Sequence, residues 1–439
     1  MAGGERRQAI AGLVLVALIW RVVPLIRLVR QLDAARGNLA EHAFVAPFVG
    51  SGFDLSELLL NPAIAWVGSP LYLFFAALET QLGTGGGWLL LVHSACSVVL
   101  VLGVFTEGER LLGTKPALIA GYLCAITTPI VLSTYQLLPL VVLMWGSVAI
   151  ARKLSDTGRR LDSQTPFGLG VAIGVLGWVQ GYASLWVVAA LLWLPFMSRH
   201  FRGRDGLKTS GWLVGGWLVM MLPIVVHGAI VQRDFVLPFE SAAFDVERAA
   251  ATGEIFRGDG PDNLSYPLGR RARSIYLMEM QDPDATTHAV ARTGHYLGGL
   301  ARQWGHDPPA QLYLLLRRGT AFFGGMAPGS GLDDAPIPGM LRALPTWPAD
   351  WLFVLAWLGI LGLSGSTRGY LPLHAGVWIP LVVAMFTSVA AETQLVALPF
   401  LCLLAGYGVA RWWEARHWAP TWLLAPASLA LGLLWVRFL

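Results

Sequence analysis

An all-α polytopic membrane protein is the fold class that these residues predict, and three observations carry that expectation. Of 439 residues, 55% are apolar and only 13% carry charge, against about 25% charged in an ordinary soluble domain. Apolar stretches of about twenty residues recur along the chain, long enough as helices to cross a hydrocarbon core of about 30 Å. The 19 Trp residues often stand near the ends of those stretches, where an amphipathic ring suits the headgroup region. Spanning segments of this kind must be helices, because each backbone polar group in lipid needs a partner within its own segment.

About eleven spans are expected, over residues 9–29, 87–106, 115–132, 136–151, 167–183, 184–198, 211–231, 351–365, 370–389, 393–410 and 419–436. The first begins at Ala9 after Arg6 and Arg7, as a signal peptide would. It runs on to about Val29 without a small-residue cleavage site and so reads as an uncleaved span. Basic residues set the orientation. Arg152, Lys153, Arg159 and Arg160 share one short loop, and Arg199, Arg202, Arg204 and Lys208 another; Arg368, and then Arg411 and Arg416, mark two more. With the N-terminus in the cytoplasm, all four loops fall on the cytoplasmic side and the C-terminus lies outside.

Two outward segments exceed a simple turn. The first, 30–86, carries Asp33, Glu41, Asp54 and Glu57, then Ser69-Pro70-Leu71-Tyr72 opening a short apolar stretch, 71–82, that suits an interfacial helix. The second, 232–350, holds much of the chain's charge. Helices are expected there after Asp282-Pro283-Asp284 and after Asp307-Pro308-Pro309, where Pro fits a first helical turn. The second of these, 310–323, places Leu and Phe beside Arg317 and Arg318 and is expected on the membrane surface. The chain thus divides into an N-terminal membrane module, 1–231, an extracytoplasmic loop domain, 232–350, and C-terminal membrane helices, 351–439.

Several function classes drop out. The net charge of +4 does not point to nucleic acid, since the basic residues lie in loops between spans. Cys96, Cys124 and Cys402 all fall inside apolar segments, which implies neither a disulfide framework nor a metal cluster. There is no P-loop, no His-Glu-x-x-His and no paired Cys-x-x-Cys. Gly-rich pieces such as 83–87 and 168–177 lack a preceding strand and read as loop and close helix packing. His93 and His227 read as packed or interfacial side chains. Arg21 and Arg27 lie within the first span, where they can snorkel to the interface, although Arg21 is deep enough to suggest a function.

The order of features carries more. A first span leads into an acidic outward loop, then Ser69-Pro70-Leu71-Tyr72, then a span ending Glu109-Arg110-Leu111-Leu112-Gly113 ahead of a tight helical hairpin. The stretches 167–195 and 282–327 follow, and late in the chain come Leu398-Pro399-Phe400-Leu401 and Ala405-Gly406-Tyr407. This arrangement resembles the C-type polytopic membrane glycosyltransferases (the GT-C fold), particularly family 39, which includes aminoarabinose transferases and protein O-mannosyltransferases. The resemblance implies an integral protein of the bacterial cytoplasmic (inner) membrane. It would transfer a sugar from a polyprenyl-phosphate-linked donor to an extracytoplasmic glycan, lipid or protein acceptor. No cofactor is implied beyond the lipid-linked donor, and no metal ligand is assigned; membrane lipid is the expected surrounding partner.

By the same resemblance, Asp33 matches the loop aspartate that acts as general base on the acceptor, with Glu41 the second candidate and Asp54 and Glu57 behind it. The family often has Tyr four residues after that aspartate, where this chain has Gly37. The plain alternative for each carboxylate is a solvated loop residue. Three further departures stand out. Gln180-Gly181 replaces an Arg-Pro pair, Glu392-Thr393-Gln394 replaces a basic stretch before the late Leu-Pro, and no Glu follows Ser133-Thr134-Tyr135-Gln136. Arg270, Arg271 and Arg273 could take over lipid-phosphate binding, or form an exposed loop cluster. The rival expectation is a catalytically inactive relative that binds lipid or partners in cell-surface polysaccharide assembly. A transporter ranks last, because Pro129, Pro139 and Pro223 show no repeat pairing.

The basic-loop parity yields a topology test. Cysteines introduced at Ser155 and Thr209 should be shielded from an impermeant thiol reagent in intact cells, and one at Ser265 should react. The opposite labelling would overturn the orientation.

Overall fold

The computed structural model describes residues 3–34, 87–134, 140–157, 164–197, 203–231, 289–323, 367–387 and 391–415, with short pieces at 71, within 246–255 and 352–360, and at 389. Regular structure among them is helical. In chain order the helices are α1 (Gly3–Ala34), α2 (Gly87–Leu112), α3 (Thr114–Ile126), α4 (Thr128–Ser133), α5 (Leu140–Thr157), α6 (Gln164–Val179), α7 (Leu185–Met197), α8 (Gly203–Val231), α9 (Ala289–His306), α10 (Pro308–Phe323), α11 (Thr367–Phe386) and α12 (Ala391–Ala415). A 3₁₀ turn, Gly181–Ser184, joins α6 to α7.

Helix α12 is the centre. Over residues 393–410 of α12, 94% of positions are buried inside the protein, as expected of a helix that is apolar on every side. It packs on α2, α3, α5 and α11. Close approach depends on missing side chains. A Cβ at Gly406 would stand 2.5 Å from the Pro116 carbonyl oxygen and 2.8 Å from the Ala120 nitrogen, so α3 meets α12 backbone to backbone. Gly408 would meet the Gly359 nitrogen at 2.6 Å, and a Cβ at Gly359 would overlap the Leu404 carbonyl. The Leu398-Pro399-Phe400-Leu401 and Ala405-Gly406-Tyr407 motifs therefore lie at the heart of the packing.

Helices α1 and α2 run antiparallel, since Arg6 pairs with Glu109 while Arg21, further along α1, meets Ser97, further back on α2. Leu13, Ala17 and Arg21, four residues apart, face inward, and Leu15, Leu18, Ile19 and Val22 face outward. A single residue links α2 to α3. Gly113 takes φ 93°, a left-handed conformation that glycine adopts without steric cost.

The structure refines the expected spans. Three helical stretches, Leu91–Leu112, Asp205–His227 and Thr393–Glu414, are long and apolar enough to cross a membrane, and four shorter apolar ones accompany them. The run expected over 115–132 breaks at Thr127, because Pro129 lacks an N–H and its ring clashes with the preceding turn. Described residues within 351–365 are helical. The span at 419–436 and the interfacial helix at 71–82 lie outside the described residues, Leu71 apart. Ser155 is buried at 3% exposure, so its shielding from a reagent would reflect packing, and Thr209 alone carries that half of the topology test.

Of the expected outward helices, α9 and α10 are present. Asp307 caps α10 by accepting a 3.0 Å bond from the Ala310 N–H, the role expected of an Asp just before a helix. The two adjacent arginines of α10 face opposite ways, Arg317 exposed and Arg318 buried.

The Gly-rich stretch 168–177 lies within α6, where it packs along α8. Cβ atoms at Gly170 and Gly216 would overlap the carbonyls of Leu213 and Phe167, whereas Gly215 faces open space. Gly170→Ala and Gly216→Ala should each lower stability by about 1–3 kcal/mol, the usual cost of overpacking. Gly215→Ala should change it by less than about 0.5 kcal/mol. Reversible unfolding in mixed detergent micelles measures all three.

Candidate functional site

The N-terminal half of the fold carries polar groups at two depths. The deeper set surrounds Arg21, which is fully buried in α1. Its Nε donates to Ser97 Oγ at 2.6 Å, and Nη1 donates to the carbonyls of Ala125 at 3.1 Å and Ala17 at 3.3 Å. Sequence explains the Ala125 contact. In an unbroken helix that carbonyl would accept from residue 129, and residue 129 is proline, which has no N–H to give. Arg21 fills the vacancy. Thr127 secures the same break, its N–H and hydroxyl both reaching the Leu123 carbonyl, at 2.9 and 2.6 Å. Arg21 is therefore packed and bonded at depth and does not snorkel. His93, one turn before Ser97 on α2, is buried as well, in line with its reading as a packed side chain.

The second set lies at the other end of α2. One guanidinium, Arg110, bridges Glu107 (2.5 Å) and Asp156 of α5. Glu107 is 1% exposed. Beside this pair, Arg6 holds Glu109 at 2.9 Å and Lys153 donates to the Gly168 carbonyl at 2.9 Å. The charges thus tie α1, α2, α5 and α6 together at one end.

Asp33 belongs to the opposite end. Helix α1 continues past its expected limit at residue 29, so the backbone of Asp33 lies in its last turn. At 1.5 Å per residue, Asp33 is about 40 Å along the axis from Arg6 and about 18 Å beyond Arg21. With α1 and α2 antiparallel, it stands at the end where α2 begins. Glu41, Asp54, Glu57, Arg270, Arg271 and Arg273 lie outside the described residues. Among the described residues, no group of three or more His, Cys, Asp or Glu side chains could hold a metal ion.

Two further polar positions escape a reading by pattern alone. Arg318 of α10, 2% exposed, donates from Nη1 to the Met385 carbonyl at 3.2 Å and from Nη2 to the Ala249 carbonyl at 2.6 Å. Gln394, at the start of α12, is fully buried and donates to the Phe322 carbonyl at 2.9 Å. It belongs to the segment that stands where the family resemblance would place basic residues. Here that segment serves packing: Gln394 seats the C-terminal end of α10, and its neighbour Thr393 is buried too. The available signal was the polar residue opening an otherwise apolar run.

No family model matches the chain, and no curated protein matches it. Among solved structures, the chain is similar to the crystal structure of the Archaeoglobus fulgidus oligosaccharyltransferase in complex with Zn and sulfate, with a TM-score of 0.42 and 10% identity. The match covers 98% of this chain and 52% of that one, so the chain spans about half the length of that structure. The chain itself is an all-α membrane protein with several apolar helices.

The charge cluster at the end of α2 gives a stability test. Arg110→Ala strands a buried carboxylate and should cost about 3–5 kcal/mol. Adding Glu107→Gln should restore part of that loss, because a neutral amide is cheaper to bury than an unpaired charge. Unfolding of both variants in detergent provides the comparison; a double variant no more stable than the single would show that Glu107 is not the stranded charge.

Proposed function

We infer that this protein is a membrane glycosyltransferase that moves a sugar from a polyprenyl-phosphate donor to an extracytoplasmic acceptor, with Asp33 as general base. The observation that supports this reading is the length of α1, which runs from Gly3 to Ala34. The end of α1 lies about 40 Å from the Arg6–Glu109 end, farther than the hydrocarbon core is thick. A helix of that length can carry residue 33 to the far membrane surface, where a donor too apolar to leave the bilayer would meet a soluble acceptor. A base at that level takes the acceptor's hydroxyl proton as the hydroxyl attacks the anomeric carbon, while the lipid phosphate leaves. Arg270, Arg271 and Arg273 would hold that phosphate, since a guanidinium fork suits its oxygens and stabilises the developing charge. Glu41 is the reserve base. Sugar, acceptor and lipid are assigned by class only.

A second reading is favoured by Gln394. The segment Glu392-Thr393-Gln394 stands where the resembled family has basic residues, and Gln394 is bound to the Phe322 carbonyl. A fold that keeps its packing while losing a phosphate contact suits an inactive subunit that binds lipid or partners in polysaccharide assembly.

Asp33→Asn keeps the shape of the side chain and removes the base. It should lower transfer by about 10²–10⁴-fold with membrane levels unchanged, and Glu41→Gln should have a smaller effect. A glycan or complementation assay of both variants, with protein quantified in parallel, provides the test. Wild-type levels in both would leave Asp54 and Glu57 as the remaining loop candidates, and in the complementation assay would favour the inactive-subunit reading.

A further inference from the structure

Helix α10 is built inside out for a helix in water. Its inward face carries Arg318, Phe322 and Gln311; Gln311 Nε2 donates to the Ala250 carbonyl at 3.4 Å. The outward face carries Leu312, Tyr313 and Leu316, exposed at 53, 60 and 58%, with the Arg317 guanidinium 5.7 Å from the Tyr313 ring centre. These residues recur at helical spacing, so they form one apolar stripe with a cation at its edge. Leu297 of the neighbouring α9 is also exposed, and so is Arg302.

Depth follows from the anchors. Arg318 binds the Met385 carbonyl in the last turn of α11, and Gln394 in the first turn of α12 binds the Phe322 carbonyl in the last turn of α10. Helix α10 is therefore fastened where the chain turns from one membrane helix into the next, at the boundary of the bilayer. A leucine stripe at that level meets acyl chains just below the headgroups, and an adjoining arginine meets lipid phosphates.

We propose that α10 is a membrane-seated anchor whose Leu312–Tyr313–Leu316 stripe enters the acyl boundary while Arg317, with Arg302 of α9, draws anionic phospholipid. The occupant is lipid because α10 is hydrogen-bonded to the ends of two apolar helices, α11 and α12, and the charge flanking its stripe is positive, complementary to anionic headgroups. A depth fixed by buried hydrogen bonds also makes α10 a coupling element. Lipid gathered at Arg317 acts one residue away from Arg318, the side chain that closes the end of α11.

The test uses the full chain in nanodiscs, with a nitroxide on Cys introduced at Leu312 or Leu316 and Cys96, the half-buried native thiol, replaced by Ala. Expected is a label that collides with oxygen several-fold more often than with a water-soluble nickel chelate. Adding phosphatidylglycerol to phosphatidylcholine should slow that label, and Arg317→Gln with Arg302→Gln should abolish the slowing without removing the oxygen contact. Dominant collision with the chelate overturns the proposal, as does an identical spectrum in the two lipid mixtures. Spin–spin broadening between labelled copies would show a second chain on this face and would overturn it equally. The labelled and neutralised positions are exposed and Cys96→Ala only removes a sulfur atom, so the fold should survive each change, and the labels report on lipid whatever becomes of sugar transfer.

Discussion

A carbonyl oxygen without a donor is the constraint around which this fold is arranged. Where it is buried among packed helices, no water arrives to pair with it, and each unpaired group costs several kcal/mol. This chain breaks its helices at Pro129 and at the ends of α10 and α11, and freed carbonyls appear at each place. A buried polar side chain from another helix reaches one each time: Arg21 to Ala125, Gln394 to Phe322 and Arg318 to Met385. The donors come from elements distant in sequence, so the same bonds that satisfy the breaks also fix which helices are neighbours. Cations suit these positions twice over, because a helix C-terminus carries a partial negative charge.

Close packing supplies the rest. Gly406 and Gly408 admit α3 and the 352–360 piece to the backbone of α12, while Gly170 and Gly216 do the same between α6 and α8. In lipid, apolar side chains gain nothing by turning inward, and association rests on contact between closely matched surfaces. That accounts for the division of α8, whose Gly216 is buried against α6 while Trp212, Leu218 and Leu222 remain exposed.

Among the described residues, helix positions were largely legible in the sequence, since apolar length is a strong local signal. The start of α10 was legible as well, because Pro-Pro suits a first helical turn ahead of an apolar run, while the Asp307 cap emerged from the structure. Orientation about a helix axis was not. Arg317 and Arg318 look alike in sequence, and only the carbonyls of α11 and the 249–250 piece determine which one turns inward. The Arg21 contact was half visible: Pro129 marks a carbonyl that needs a donor, and a charged residue in another apolar run is a natural supplier, yet neither residue names the other. Of the candidate site, only the backbone of Asp33 is placed. Glu41 and the three arginines belong to long segments whose geometry no periodic pattern specifies.

The Arg21 contact also bears on how the chain is made. Ser97 lies 76 residues after Arg21, and Ala125 lies 104 residues after it. An arginine at the middle of a lone inserted helix costs about 2.5–3.5 kcal/mol on an insertion scale. At about 5–20 residues per second of synthesis, the last of its partners emerges roughly 5–20 s later. Until then the contacts that bury Arg21 cannot all form. The burial of Arg21 is complete only when the third helix delivers the carbonyl that Pro129 set free, so that a proline in one helix settles the place of another.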